Sequence, residues 1–358
     1  MPSLKEIKGR INSISSTLAI TSAMKMVAAA KLQKAQMSIQ NMLPYERRLH
    51  SMFIDLMGAM NISAAASEDG SVRGSGSAER GFDQSGDRLS LSNRHDLAGM
   101  DGAYSLMAQR EVRKVAIVAF ASNSSLCGAF NSNVIREATA VINEYRASGL
   151  GDADITVYSV GRKMAEAMKK LGFPSPADFT KMSDSPSYDA ASALAQELLD
   201  GFVSGRFDKV ELVYNHYKST SSQPTIRQTY LPLSLADATA DLQAGKIADS
   251  ASESDTNRGA EPVGAPVVRQ GSPTTEDLIV EPSKEELIAT LLPKVVRLRV
   301  FTTLLDSTAA EQAARTVAMQ LATDNGNDLL QELTLEYNKG RQQKITSEIL
   351  DLVGGSMQ

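Results

Sequence analysis

From Leu4 onward, the first sixty residues place apolar or small side chains at alternating steps of three and four: Leu4, Ile7, Ile11, Ile14, Leu18, Thr21, Lys25, Ala28, Leu32, Ala35, Ile39, Met42, Glu46, Leu49, Phe53, Leu56 and Met60. Only Thr21, Lys25 and Glu46 interrupt the apolar or small character. A seam recurring about every 3.5 residues over roughly eight heptads specifies a coiled-coil helix. At about 1.5 Å per residue it would extend roughly 85 Å, further than a compact domain is wide, so its apolar stripe needs a second helix. Ala19, Ala23, Ala28, Ala29, Ala30 and Ala35 are small enough to admit another backbone at close range, and Met24, Met26, Met37 and Met42 add unbranched side chains that fit irregular surroundings. That composition suits a shaft seated inside something. The repeat taken alone more often marks a tether or a dimerisation rod.

The chain has 358 residues, 42% of them hydrophobic, enough for one large or two modest cores. A net charge of −5 speaks against a nucleic-acid partner. Its distribution says more: residues 1–60 hold eight Lys or Arg against three Asp or Glu, and residues 276–358 hold eight against thirteen. Opposite signs favour the two ends lying together, although exposed pairs contribute only about 0.2–1 kcal/mol each. A single cysteine, Cys127, excludes an intramolecular disulfide, and His50, His95 and His216 lack ligand spacing, so the expectation is no metal site and a reducing compartment. No apolar run reaches the ~18 residues of a membrane span, and the start Met1-Pro2-Ser3-Leu4-Lys5-Glu6 has neither a signal core nor a transit-peptide profile. A soluble chain is expected, with any membrane association running through a partner.

Along the chain, residues 1–62 read as the N-terminal coiled-coil helix, kinked but not ended at Pro44 because the apolar phase continues past it. Residues 63–110 read as a flexible Gly/Ser-rich insertion. A head follows over 111–235, with strands at 112–120, 155–160, 209–217 and 225–233. Its helices are expected from Asn131 or Ser132 to Ser148, over 162–171 and over 188–203. Strands alternating with helices indicate an α/β unit, Rossmann-like in its mainly parallel sheet. Residues 236–278 form a second, acidic polar insertion. The C-terminal coiled-coil helix occupies 279–358, with Ser283 and Glu286 in a capping-box arrangement. It runs through Leu305, Ala309, Val317, Leu321, Leu330, Leu333, Tyr337, Ile345, Ile349 and Leu352, with a weak point expected at Asp324-Asn325-Gly326-Asn327. Two such helices flanking one head can form a long antiparallel coiled coil with the head at one end.

The head's first loop, Ser122-Asn123-Ser124-Ser125-Leu126-Cys127-Gly128, contains neither G-x-G-x-x-G nor G-x-x-x-x-G-K-[ST], and carries no Lys or Arg to meet a phosphate. Cys127 has no base near it in sequence and reads as a small buried thiol. Ser219-Thr220-Ser221-Ser222 lacks a nucleophile-elbow pattern and reads as a polar loop. No catalytic constellation, cofactor or direct small-molecule substrate is expected.

Three stretches carry a family resemblance. Ile20-Thr21-Ser22-Ala23-Met24-Lys25-Met26-Val27-Ala28-Ala29-Ala30-Lys31-Leu32 with Pro44-Tyr45 resembles the N-terminal signature of the γ subunits of F-type ATP synthases. Ser125-Leu126-Cys127-Gly128-Ala129-Phe130-Asn131 is similar to that family's strand-to-helix turn. Ala309-Ala310-Glu311-Gln312-Ala313-Ala314-Arg315, Ala322-Thr323-Asp324-Asn325 and Glu336-Tyr337-Asn338-Lys339-Gly340-Arg341-Gln342 resemble its C-terminal signature. The resemblance implies a non-catalytic rotor, one copy per complex, whose paired helices turn inside a ring of α and β subunits. It places the head at the foot, with the ε subunit and the membrane c-ring, so that proton flow drives ATP synthesis or hydrolysis at the β subunits. It also implies a peripheral position on the cytoplasmic face of a bacterial inner membrane.

By position, Met24 and Lys25 match the place facing the β subunit's acidic lever, and Arg341, Gln342 and Thr346 match a polar catch on the upper shaft. The chain departs from the pattern at Asn123-Ser124-Ser125, where Asp-Arg-Gly is usual, at Ser22 for Lys and at Ala310 for Ser. Neither insertion has a cysteine, so a thiol switch is not available. The alternative is a coiled-coil tether or scaffold displaying a non-catalytic α/β module.

Overall fold

The computed structural model describes residues 3–59, 106–233 and 284–356. The N-terminal seam is the buried face of one helix, α1 (Leu4–Ala59), which runs through Pro44 without ending. Every seam position from Leu4 to Phe53 is buried or half-buried, while the residues between them are mostly exposed. The alanines divide on the same phase. Ala28 and Ala35 are buried, but Ala19, Ala23, Ala29 and Ala30 face outward, so only the first two admit a neighbouring backbone. Met26 and Met37 are likewise exposed, at 64% and 52%, because they too fall off the seam.

The head contains, in order, β1 (Val115–Phe120), α2 (Phe130–Ala147), β2 (Ile155–Val160), α3 (Arg162–Lys170), a short α4 (Thr180–Asp184), α5 (Tyr188–Val203), β3 (Lys209–Asn215) and β4 (Thr225–Leu231). The last element is α6 (Lys284–Ser356). The sheet order is β2-β1-β3-β4, with β2, β1 and β3 parallel and β4 antiparallel on the edge. All six residues of β1, Val-Ala-Ile-Val-Ala-Phe, are buried, as expected of a central strand with no side-chain polar atom to satisfy. Alternation sends Val115, Ile117 and Ala119 to one face, against Val134, Ala138 and Val141 of α2 and Met164 and Met168 of α3. Ala116, Val118 and Phe120 go to the other, against Leu194, Leu198 and Phe202 of α5 and Val295 and Val296 of α6. The C-terminal helix is therefore a layer of the head before it becomes half of the shaft. Leu49 and Phe53 of α1 join the same core. Fully burying such a side chain contributes about 1.5–3 kcal/mol.

Several element boundaries differ from the sequence reading for local reasons. The β1 strand starts at Val115, because the N–H groups of Arg113 and Lys114 donate to the Asp208 carboxylate at 3.0 and 2.9 Å. Ala129, not Asn131 or Ser132, precedes the first turn of α2, since the Asn131 amide turns inward to Ser122. At five residues, α4 is too short to leave a periodic signature. The insertion at 63–110, apart from its last residues, the insertion at 236–278 and the cap at Ser283 lie outside the described residues.

Along the shaft the two helices are antiparallel. Leu4 meets Gly340, Leu18 meets Gly326, and Leu32 and Ala35 pack with Ala309 and Ala313. The three polar seam residues each find a polar partner on α6: Thr21 with Thr323 at 3.1 Å, Lys25 with Gln320 at 2.5 Å, and Glu46 with Thr302 at 3.1 Å. The α6 seam in this region is Met319, Thr323, Gly326, Leu330, Leu333, Tyr337 and Gly340, all at least half-buried and spaced by threes and fours. Its Thr and Gly members are why an apolar count finds it irregular. Leu321, assigned to the seam from sequence, is 57% exposed.

Nor does the Asp324-to-Asn327 segment break the helix. A Cβ at Gly326 would lie 2.7 Å from Leu18 Cδ2, so the glycine serves close approach, and packing offsets its propensity cost of about 1 kcal/mol. Beyond Gly340, α6 continues without α1 for roughly 24 Å at about 1.5 Å per residue. Ile345, Ile349 and Leu352, also assigned to the seam, are exposed there because no partner helix reaches them.

Two outcomes follow from this arrangement. Thr21→Cys with Thr323→Cys should oxidise to a disulfide within one chain, read as a monomer band on a non-reducing gel. A cross-linked dimer would instead place the partner helix in a second copy. Native Cys127, 1% exposed, does not compete. Gly161 (φ +97°) precedes α3, and a Cβ there would sit 2.0 Å from the Ala121 carbonyl oxygen. Gly161→Ala should cost about 2 kcal/mol or more, read by thermal unfolding.

Candidate functional site

In open parallel sheets, ligands gather at the carboxyl ends of the strands. Here the shaft covers that edge. The loop after β1 holds Leu126 and Gly128 in the left-handed region, at φ 70° and 58°. Asn131 fills its interior, donating to Ser122 Oγ at 2.9 Å, the Ser124 carbonyl at 3.2 Å and Cys127 Sγ at 3.2 Å, while its Oδ1 accepts the Ser122 N–H. The cation missing from the loop's own sequence arrives from α6. Arg315 donates to the Ser125 carbonyl at 2.7 Å and to Ser124 Oγ at 2.8 Å, and also pairs with Glu311 at 2.7 Å. Burial pushes the Glu311 carboxyl up, against the pull of Arg315. With both Arg315 and Glu311 buried, this pair fastens the loop to the shaft. Cys127 lies at 1% exposure beside Phe130 and Ala310, in the setting of a packing thiol.

The end of β3 meets the shaft next. His216 Nδ1 lies 2.6 Å from Asp306 Oδ2, the Tyr217 N–H donates to Asp306 Oδ1 at 2.8 Å, and Gln36 of α1 donates to the Tyr217 hydroxyl at 2.7 Å. Further along, the Tyr230 hydroxyl donates to the Val296 carbonyl at 3.0 Å, and Arg297 donates to Gln196 at 2.5 Å. Deeper in the sheet, Glu211 is 1% exposed and accepts from Tyr145 at 2.6 Å and Arg227 at 2.7 Å, with Lys209 Nζ at 2.7 Å. Burial alone would raise its pKa. The bonds from Arg227, Lys209 and Tyr145 more than reverse this and hold it below the usual carboxylate range, as befits a satisfied structural network.

A cleft of about 600 Å³ opens between α1, the turn after α4, and α6, lined among others by Met24, Lys31, Lys34, Asp184, Gln312 and Arg315. Met24, half-buried, lies on its wall. The Lys25 ammonium is turned across the shaft to Gln320, whereas Lys31 and Lys34, not singled out from the sequence, are exposed at the cleft. Arg341, Gln342 and Thr346 are all exposed on the unpaired end of α6. The helical rise from Gln320 to Arg341 puts this second group roughly 30 Å from the first. The five residues do not form one site but mark two levels of one rod. Among the described residues, no group of three or more His, Cys, Asp or Glu could hold a metal ion, and no helix is long and apolar enough to cross a membrane.

The hydrogen bond to Asp306 raises the His216 pKa, with burial and Lys218 pulling the other way. A raised folded value means the pair's stabilisation is complete below the unfolded pKa of about 6.5 and is lost as pH rises through the folded value. His216→Gln should therefore lower thermal stability at pH ~6 and lower it less as the pH approaches ~9. A deficit independent of pH would show that the ion pair contributes nothing.

Residues 3–357 match the family model described as ATP synthase. The chain is 46% identical over 357 residues to the ATP synthase gamma chain of Phocaeicola vulgatus and 45% identical over 358 residues to that of Bacteroides thetaiotaomicron, each match covering 100% of both chains. Its fold is similar to that of a chain in the mitochondrial ATP synthase of Euglena gracilis (OSCP/F1/c-ring, rotational state 3). That match has a TM-score of 0.52 and 19% identity, and covers 99% of this chain and 93% of that one. With full-length relatives at this identity and a head-and-shaft fold to match, the chain belongs to the ATP synthase gamma chain family.

Proposed function

We propose that the chain is the central rotor shaft of an F-type ATP synthase, coupling proton flow through the membrane sector to ATP synthesis or hydrolysis at the catalytic β subunits. The observation that carries this reading is the pairing of α1 and α6 within a single chain, by matched polar and apolar rungs, into a rod much longer than the head. A rod paired with itself has no need of a second copy, which favours one shaft per complex over a dimeric tether. Its faces are unlike one another, so each orientation presents a different surface to a surrounding ring of α and β subunits. Such a body selects among the states of the ring's sites by differential contact.

In this reading the chain does no bond chemistry itself. Support comes from the sheet's carboxyl edge, which Arg315, Asp306 and the shaft helices occupy instead of a ligand. The head sits at the foot with the ε subunit and the c-ring, and the chain is peripheral on the cytoplasmic face of a bacterial inner membrane. The β subunit meets the shaft at two levels: Met24 with Lys25 beside the cleft, and Arg341, Gln342 and Thr346 above. Ile349, Leu350, Leu352 and Val353 are 52–74% exposed at the tip, an apolar surface suited to a collar of ring subunits. Exposed polar contacts of about 0.2–1 kcal/mol are small beside the roughly 2.3 kcal/mol one charge gains across 100 mV, so they can break and reform at each step.

Purification of the ATP-hydrolysing complex from native membranes should yield this chain once per complex; its absence would end the rotor reading. Arg341→Ala with Gln342→Ala should lower proton-driven ATP synthesis about 3- to 10-fold at unchanged chain content. Unaltered synthesis would remove the upper contact.

A further inference from the structure

A shaft turned from its foot needs a joint that resists rotation of the head about the rod. Apolar contact alone is non-directional and permits sliding. Arg315, Tyr230 and Arg297 supply directional bonds, but these bonds run to or from α6. Tyr217 is placed differently. Its side chain packs against Leu32 and Ala35 of α1 together with Ala309 and Ala313 of α6, and also against the head cluster of Cys127 and Phe130 with Ala310. Its hydroxyl accepts from Gln36 of α1 at 2.7 Å and lies 3.4 Å from Thr220 Oγ1. Its own N–H is held by Asp306 of α6 at 2.8 Å, and the same carboxylate takes His216 at 2.6 Å. One half-buried residue at the end of a central strand thus engages both shaft helices and the head, by shape and by directed hydrogen bonds. The alanines on α6 leave the space its ring fills.

Resting on the rotor reading, we infer that Tyr217, seated by Asp306 and Gln36, is the joint through which torque passes between the head and the two shaft helices. It is a positioning residue, acting on the catalytic sites through the shaft. The strand β3 carries load along its axis from the sheet. Tyr217 converts that load into a push on both helices at once, so they turn as one body and do not slide past each other. Asp306 fixes the backbone of the wedge, and Gln36 fixes its tip.

The test uses inverted membrane vesicles carrying the complete complex, with proton uptake measured per ATP hydrolysed and the content of this chain quantified. Tyr217→Ala should lower that ratio about tenfold at normal chain content. Tyr217→Phe, which keeps the wedge and loses only the hydroxyl bonds, should lower it about twofold. Asp306→Asn keeps an acceptor for the Tyr217 N–H and should fall between them. A wild-type ratio in Tyr217→Ala with normal chain content overturns the inference. If that variant does not assemble, wild-type ratios in both Tyr217→Phe and Asp306→Asn overturn it. A purified ATP-hydrolysing complex that lacks this chain would instead mark failure of the rotor reading itself.

Discussion

Everything in this molecule depends on α1 finding α6. A helix with an apolar stripe along most of its length is unstable alone in water, and helical stability in proteins comes mainly from packing such a face. The partner is supplied by the other end of the same chain. Because the helices are antiparallel, the end of α1 and the start of α6 lie together, and the head forms there around residues of both. The polar rungs refine this pairing. Thr21, Lys25 and Glu46 each meet a polar partner on α6 in the alignment the two helices adopt. They act as register marks in the way a single polar residue does in a coiled-coil seam.

The head shows what happens when an α/β sheet gives up its usual ligand edge. The loops at the carboxyl ends of β1 and β3 turn backbone and side-chain groups toward α6, where Arg315 and Asp306 meet them. The strained loop at Leu126, the buried Arg315 with Glu311, and Asp306 beneath His216 and Tyr217 are features that in another setting would suggest an active site. In this setting they fasten one rigid body to another. Perturbed carboxyl groups at Glu211 and Glu311 reflect the same economy, since each is buried only where cations meet it.

Family membership and the physical reading meet at the unpaired end of α6. Gly340 faces Leu4, the first residue of α1, and beyond it a single helix with exposed leucines, isoleucines and a valine continues alone. Such a surface has no reason to persist in a free monomer. It makes sense for a chain that works inside a complex.

The sequence by itself determined the N-terminal seam, the parallel character of the sheet, and the alternation of strands and helices in the head, because each is written as a period in hydrophobicity that one segment carries alone. A resemblance nominated Met24 with Lys25, and Arg341 with Gln342 and Thr346, as candidate contacts, and the structure sets these residues at two levels of one rod. Only the tertiary structure decided what crosses between segments. Three of the seven residues of the α6 seam between Met319 and Gly340 are threonine or glycine, so its phase became visible only against Leu18 and Thr21. The cation for the first loop comes from Arg315, far along the chain, and the ammonium of Lys25 is spent on Gln320 while Lys31 and Lys34 take the exposed cleft. Gln36, Tyr217 and Asp306 share no pattern in the chain, since their meeting depends on the register of two helices and the end of a strand, which no local period encodes.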